Sequence, residues 1–290
     1  MNTLTLQLPT WQDYQLIDSG DGEKLERFGD YTFIRPEPKA IWNKSVPNEW
    51  EKAAAIYQRT TDKEGKWYFK TDVSKANTIK WHNITFRIKP TFFKHTGIFP
   101  ESTVHWEWMQ KQIQIAKKPL NILNLFAYTG GGTLAALAEG ASVTHVDALK
   151  EVVTWAHENA QLSGLNEKPV RWIVDDALTF VKREVKRSKT YDGIIIDPPK
   201  FGRSAVGKIW KFEEQIQELL DACRQILSPK PVFILLNTYT VEFSSITLRN
   251  LVTQMMQQYE GRVEHGEIVI PQKNSHILLP TSIFARWSRD

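Results

Sequence analysis

The chain has 290 residues, 41% of them hydrophobic and 24% charged, with a formal net charge of +4. That length accommodates one large α/β domain and a smaller one, each with a core of its own, and the small positive charge permits an anionic partner without requiring one. A single cysteine, Cys223, excludes an internal disulfide framework and suits a reducing compartment; with no leader-like opening and no apolar run of membrane length, the expected location is the cytoplasm, away from membranes.

Over the first hundred residues β-type segments dominate and tryptophan is dense, with Trp11, Trp42, Trp50, Trp67 and Trp81 all in this stretch. Tyr31 to Ile34 reads as a short strand ended by the turn region around Pro36 and Pro38. Ile79 to Trp81 and Ile84 to Ile88 flank His82-Asn83 and read as a hairpin with alternating faces. Residues 1–100 are therefore expected to form a small β-rich substrate-binding domain. Its tryptophans could stack on nucleic-acid bases, but core burial is the commoner use of such rings.

From residue 101 the rhythm becomes alternating helix and strand. Val104, Trp108, Met109, Ile113 and Ala116 recur at helical spacing and predict a helix over 101–117. Apolar strands follow at Ile122 to Phe126, Val143 to Val146, Val170 to Val174, Gly193 to Ile196 and Val232 to Leu236. Amphipathic stretches such as Glu151 to Leu162 and Phe212 to Leu227 lie between them. This alternation predicts an α/β, Rossmann-like domain over residues 101–290, built on a doubly wound and mostly parallel sheet. Ser282 to Trp287 reads as a last strand, at an edge or as an antiparallel insertion.

In such a sheet, ligands bind beyond the carboxyl ends of the strands. The first strand runs into Phe126-Ala127-Tyr128-Thr129-Gly130-Gly131-Gly132 and then a helix. The glycines permit a tight turn and close approach of a ligand, and the helix offers free N–H groups to an anion. Taken alone, the run also fits a nicotinamide-dinucleotide enzyme or a plain loop. The second strand ends in Asp147, which could accept both ribose hydroxyls of an adenosine or cap the following helix. Asp175-Asp176-Ala177 ends the third, suited to an adenine amino group or, equally, to a helix cap. The fourth ends in Asp197-Pro198-Pro199-Lys200-Phe201. Paired prolines have fixed φ and no N–H, so they hold a rigid turn and leave carbonyls as acceptors beside a planar base. A mere strand-ending turn is the plain alternative, and it fits poorly on this strand of a nucleotide-binding sheet.

Together these segments resemble class I S-adenosylmethionine-dependent methyltransferases of the large-subunit ribosomal RNA methyltransferase type. The likeness rests on Asn124 to Gly132, Asp147, Asp176-Ala177 and Asp197 to Phe201. Thr96-Gly97-Ile98-Phe99-Pro100-Glu101 adds to it, being similar to the Thr-Gly-x-Phe-x-Asp/Glu segment these enzymes carry just before the catalytic domain. It spans roughly residues 90–290, with a looser match before. The resemblance implies a seven-strand class I fold, S-adenosyl-L-methionine as cofactor, and methylation of a base in RNA, ribosomal RNA first of all. It implies a cofactor site lined by Thr96, Phe99, Phe126, Ala127, Tyr128, Thr129, Gly130, Asp147, Ala148, Asp176, Ala177 and Asp197. The catalytic group it implies is Asp197, Pro198, Pro199 and Phe201, facing the base.

Relatives that methylate carbon 5 of cytosine use a cysteine nucleophile placed after the fifth strand. Here Leu235 to Thr240 holds none, and Cys223 shares a helical face with Ile216, Leu219, Leu220 and Leu227 as a small core residue. Direct transfer to a nitrogen or oxygen lone pair is therefore expected, governed mainly by alignment; a guanine ring nitrogen is a candidate by analogy with another branch of the family. Gly202 to Lys211 reads as a basic, mobile-looking loop in which Trp210 could stack on a base. Lys182, Arg183, Lys186, Arg187 and Lys189 form a second basic cluster, better explained as a solvated helix face. The seven histidines lack zinc-type spacing, so no metal is expected, and His95 suits a structural role better than a cofactor contact. No Gly-x-Ser-x-Gly or Walker sequence supports a hydrolase or nucleotide-triphosphatase. Two rival readings stay open: a nicotinamide-dependent oxidoreductase sharing the glycine loop and Asp147, and a catalytically silent RNA-binding relative.

Overall fold

The structure is a computed structural model that describes residues 2–60, 65–73, 78–91, 94–203, 207–239 and 242–289. The chain divides into two compact units. One gathers Met1–Leu6, Ser102–Ile268 and Thr281–Asp290; the other gathers Gln7–Glu101 and Val269–Pro280. Along the chain the main change-over falls between Glu101 and Ser102, and the segments at 1–6 and 269–280 are assigned across it.

Strand β1 (Leu4–Gln7) opens the chain. The β-rich unit then holds β2 (Tyr14–Gly20), β3 (Glu23–Phe28), β4 (Tyr31–Pro36), the short helix α1 (Pro47–Glu51), β5 (Ala55–Arg59), β6 (Gly65–Phe69), β7 (Thr78–Trp81) and β8 (Ile84–Arg87). Five of these strands form one sheet in the order β2-β3-β4-β5-β6, antiparallel except where β4 and β5 run parallel. One face carries Leu25, Ile34 and the α1 residue Trp50 as a small core. Aromatic side chains run in a ladder through Tyr14, Phe28, Phe33 and Trp67. Trp11, Trp50 and Trp81 are buried, so these tryptophans serve packing. The β7–β8 hairpin turns at His82, which takes a left-handed φ of 51°.

The larger unit continues with α2 (Thr103–Ala116), β9 (Asn121–Leu125), α3 (Gly131–Ala138), β10 (Ser142–Asp147), α4 (Lys150–Leu162), β11 (Val170–Val174), α5 (Ala177–Lys186) and β12 (Gly193–Ile196). Then come β13 (Phe201–Arg203), β14 (Ile209–Lys211), α6 (Phe212–Gln225), β15 (Phe233–Tyr239), α7 (Ser245–Met256), β16 (Arg262–Pro271) and β17 (Leu278–Ser288). Its sheet has eight strands in the order β1-β16-β17-β15-β12-β9-β10-β11. The five strands from β15 to β11 are parallel, and β17 enters antiparallel to β15, as an insertion rather than an edge. The eighth strand, β1, was not foreseen. It lies against Gly266, where any side chain would overlap the Leu4 backbone.

β9 and β12 are buried apolar runs, the pattern of strands covered on both faces. Leu123, Leu125, Ile194 and Ile196 pack with Leu219, Leu220 and Cys223 of α6 and Val252 of α7 in one core. From β9 the chain builds outward through β10 and β11, then crosses to the other side of β9 for β12 and β15, which makes the carboxyl ends of β9 and β12 the switch point. Register pairs Leu125 with both Val146 and Ile196, and Ile196 with Leu236. Phe126, Asp147, Asp197 and Asn237 therefore leave the sheet side by side.

The segment read as a mobile basic loop is instead a two-stranded ribbon at both ends, β13 pairing with β14. Ser204, Ala205 and Val206 fall outside the described residues. No helix is long and apolar enough to cross a membrane among the described residues.

Candidate active site

The loop after β9 has an unusual backbone. Phe126 and Tyr128, neither of them glycine, take φ values of 53° and 49°, and Gly130 takes 92°. Such conformations cost a non-glycine residue energy and persist only where the surroundings enforce them. The enforcing bonds run to the neighbouring strand: the Ala127 amide donates to the Val146 carbonyl at 3.0 Å, and the Tyr128 amide to Asp147 Oδ2 at 2.9 Å. Asn159 of α4 donates to the Thr129 carbonyl at 2.9 Å. Beneath the loop, Asn124 donates to Thr133 at 3.0 Å, and Thr133 meets His145 Nδ1 at 2.9 Å.

The tight turn expected of the glycines is present at Gly130, and close packing adds a reason for the other two. A methyl group on Gly131 would overlap the Trp106 ring, and one on Gly132 would stand 3.3 Å from Asn124 and Ile195. Close packing of α3, and the left-handed φ of Gly130, require them.

Asp147 accepts at both oxygens: Oδ2 from Tyr128, and Oδ1 from the Leu149 amide at 3.1 Å. Burial pushes its carboxyl above the ordinary range, against the pull of the Leu149, Tyr128 and Ala148 amides. Asp147 is not the helix cap offered as its alternative role; that position belongs to Leu149. Asp176 is a cap. Its Oδ1 takes the Thr179 amide at 2.9 Å and the Thr179 hydroxyl at 2.6 Å, closing the first turn of α5. Asp175 takes the Asp176 amide at 2.9 Å and an ion pair from Arg183. Ala148 is half-buried and Ala177 buried.

At the end of β12, Asn237 Nδ2 donates to Asp197 Oδ1 at 2.8 Å. The proline carbonyls, expected to stand open as acceptors, are both engaged: Pro198 by the Thr238 hydroxyl at 3.1 Å and Pro199 by the Trp210 indole N–H at 2.8 Å. Trp210 itself is buried, its ring centroid 4.9 Å from that of Phe126. It is thus part of the floor and not a free platform for a base. Phe201, by contrast, is 57% exposed, while Pro198 is buried and Pro199 exposed.

The structure thus brings Phe126 to Gly130, Asp147 and Asp197 to one sheet edge, with Asp176 one strand further out. Thr96 and Phe99 belong to the β-rich unit. There Thr96 is fully buried, its hydroxyl without a hydrogen-bond partner among the described residues. Phe99 lies tilted against His95, 5.1 Å between ring centroids, and the pKa of His95 is pushed down to about 3 by burial and then by Arg35.

Asn237 and His105 belong to no motif in the sequence, which gives neither a role at this site. The one signal the sequence offers for Asn237 is an amide directly after the apolar run Leu235-Leu236. The basic cluster on α5 is largely neutralised, Lys182 by Glu218 at 2.5 Å, Arg187 by Glu184 at 3.1 Å, and Arg183 by Asp175. Cys223 is fully buried, and burial pushes its thiol up, away from nucleophile chemistry.

Residues 55–232 match the family described as S-adenosylmethionine-dependent methyltransferase. A solved structure described as the SAM-dependent methyltransferase from Agrobacterium tumefaciens is similar over 99% of this chain and 94% of its own, with 42% identity and a TM-score of 0.94. Ribosomal RNA large subunit methyltransferase K/L of Shewanella frigidimarina is 32% identical over 182 residues, 62% of this chain and 25% of that protein. The protein of the same name from Colwellia psychrerythraea is 32% identical over 214 residues, 66% of this chain and 29% of its own length. The chain spans about a quarter of the length of these curated relatives.

Proposed function

Because the chain belongs to the S-adenosylmethionine-dependent methyltransferase family, we propose that it methylates a base of ribosomal RNA directly, without a cysteine intermediate. When bound, S-adenosylmethionine supplies an electrophilic methyl group on a sulfonium. One observation carries the reading: the ends of β9, β10 and β12 stand at one register level, so the 126–130 loop, Asp147 and the Asp197-Pro198-Pro199 turn share an edge.

The donor set fits a nucleoside with a charged tail. Each Asp147 oxygen takes one backbone N–H and keeps a lone pair for a ribose hydroxyl. Asp176, fixed by its capping bonds beside the buried Ala177, suits the adenine end. The loop from Phe126 to Gly130, with Ala148, borders the methionine end. Asp197 accepts an N–H of the target base, and the exposed Phe201 ring stacks on it, with Pro198 and Pro199 holding the turn rigid. Transfer to a nitrogen or oxygen of the base needs in-line alignment more than acid–base chemistry.

The β-rich residues 1–100 serve as the RNA-binding part, and residues 101–290 as the part that carries out methyl transfer. Ribosomal RNA as acceptor is supported by the names of the curated relatives, and a cytoplasmic location is the one such a substrate favours. The family match favours neither a nicotinamide oxidoreductase nor a silent relative. Labelled methyl transfer to RNA from a strain lacking this chain tests the reading. Incorporation at one mapped base supports it; incorporation into protein alone, or none, refutes it.

A further inference from the structure

We propose that His105 and Asn237 are positioning residues that fix the direction in which Asp197 presents its carboxylate to the acceptor base, an inference that rests on the function proposed above. The three side chains form a directed series. Asn237 Nδ2 lies 2.8 Å from Asp197 Oδ1, and its Oδ1 lies 3.3 Å from His105 Nε2. A carboxylate oxygen can only accept, so the amide nitrogen of Asn237 must face Asp197. The amide oxygen then faces His105, and Nε2 must carry the ring hydrogen.

The opposite tautomer is excluded twice over. It would bury an unpaired Nδ1–H, since Nδ1 has no hydrogen-bond partner among the described residues, and it would set two acceptors against each other. His105 is uncharged as well: burial first, and then Arg286, pushes its pKa down to about 3. The charge on Arg286 is itself engaged by Glu264 at 2.8 Å.

Both positioning residues are almost wholly buried, His105 at 3% exposure and Asn237 at 2%. They come from α2 and β15, 132 positions apart. The His105 ring is held edge-on to Phe284, at 5.1 Å between centroids. Burying two polar side chains is costly where apolar ones would fill the space. What this pair delivers is one aimed hydrogen bond on Asp197.

The test compares four variants in the full chain. His105→Leu removes the terminal donor, and His105→Gln keeps one. Asn237→Asp sets a second carboxylate against Asp197, and Asp197→Asn reports on the site itself. Readouts are steady-state methyl transfer to RNA from a strain lacking the chain, S-adenosylhomocysteine binding by calorimetry, and imidazole 15N spectra.

His105→Leu is expected to lower kcat about 10- to 100-fold, with cofactor-product affinity held within about threefold and His105→Gln recovering most of the rate. In Asn237→Asp the two carboxylates share a proton, so a new ionisation enters the kcat profile between about pH 5 and 8. The group facing it is His105 from α2; behind His105 stands the charge of Arg286 from β17, paired with Glu264 from β16. The wild-type spectrum should show neutral His105 protonated at Nε2. Hydrogen on Nδ1, or a His105→Gln variant as slow as His105→Leu, overturns the inference. Should Asn237→Asp not fold, the two His105 variants and the wild-type spectrum still decide. If Asp197→Asn alone leaves transfer unchanged, the proposed function fails; if it abolishes transfer while the His105 variants do not slow it, only the positioning role of His105 and Asn237 fails.

Discussion

The two sides of the strand-end edge are held by different means. Towards β10 and β11, the carboxylates are fixed by nearby backbone and the next turn of chain: Asp147 by the Tyr128 and Leu149 amides, Asp176 by Thr179. Towards β12 and β15, Asp197 is fixed by a side chain, Asn237, 40 positions on, which is fixed in turn by His105 from another element. Backbone bonds move only if the strand moves. A side-chain series can be broken, reversed or retuned by a single substitution without disturbing the sheet, and this is the side proposed to face the acceptor.

The largest expected effect strikes both sides at once. His95, His105 and His145 are buried, and burial lowers the pKa of each to about 3. As pH falls below the free imidazole value near 6.5, the unfolded chain takes up protons that the folded chain refuses. Their contribution is therefore complete above about pH 6.5 and is lost between there and about pH 3, at about 1.4 kcal/mol per pH unit for each histidine. Melting followed by circular dichroism from pH 7 to pH 5 should fall by the equivalent of about 6 kcal/mol, and His105→Gln should remove about a third of that slope. A melting temperature independent of pH in this window would be inconsistent with neutral buried histidines.

Next in size, Asp197→Ala should slow methyl transfer about 100-fold, roughly 2.7 kcal/mol, while S-adenosylhomocysteine binding changes far less. Asp147→Ala should do the reverse, weakening that binding by about 2 kcal/mol, near 30-fold in the dissociation constant, with RNA affinity retained. Equal effects of both variants on both measurements would erase the distinction between the two sides. The smallest expected effect belongs to Asp176→Ala, which loses a cap and about 1 kcal/mol of stability; chemical denaturation would read it as a lowered midpoint at constant slope.

Much of this was legible in the sequence. The alternation of strand and helix, the existence of a last strand at Ser282 to Trp287 and the convergence of residues 126–130, Asp147 and Asp197 follow from periodicity and from the rule that parallel strands expose their carboxyl ends together. Less legible was whatever depends on partners far along the chain. β1 is four residues long, and only its pairing beside β16 makes it a strand. The Gly131 position answers to Trp106, the Pro199 carbonyl to Trp210, and Asp197 to Asn237. In each case the local residues suggested an open group, and the fold supplied an occupant. The helix-cap alternative succeeded for Asp176 and failed for Asp147 because α5 begins directly after Asp176, whereas α4 begins two residues beyond Ala148.

The central claim is that neighbouring strand ends grip one sulfonium nucleoside. A crystal of the chain grown with S-adenosylhomocysteine tests it most directly. The account predicts the ribose hydroxyls on the Asp147 carboxylate and the sulfur turned towards the Asp197-Pro198-Pro199 turn. A nucleoside bound elsewhere, with the Asp147 oxygens holding only their two backbone amides, would contradict it.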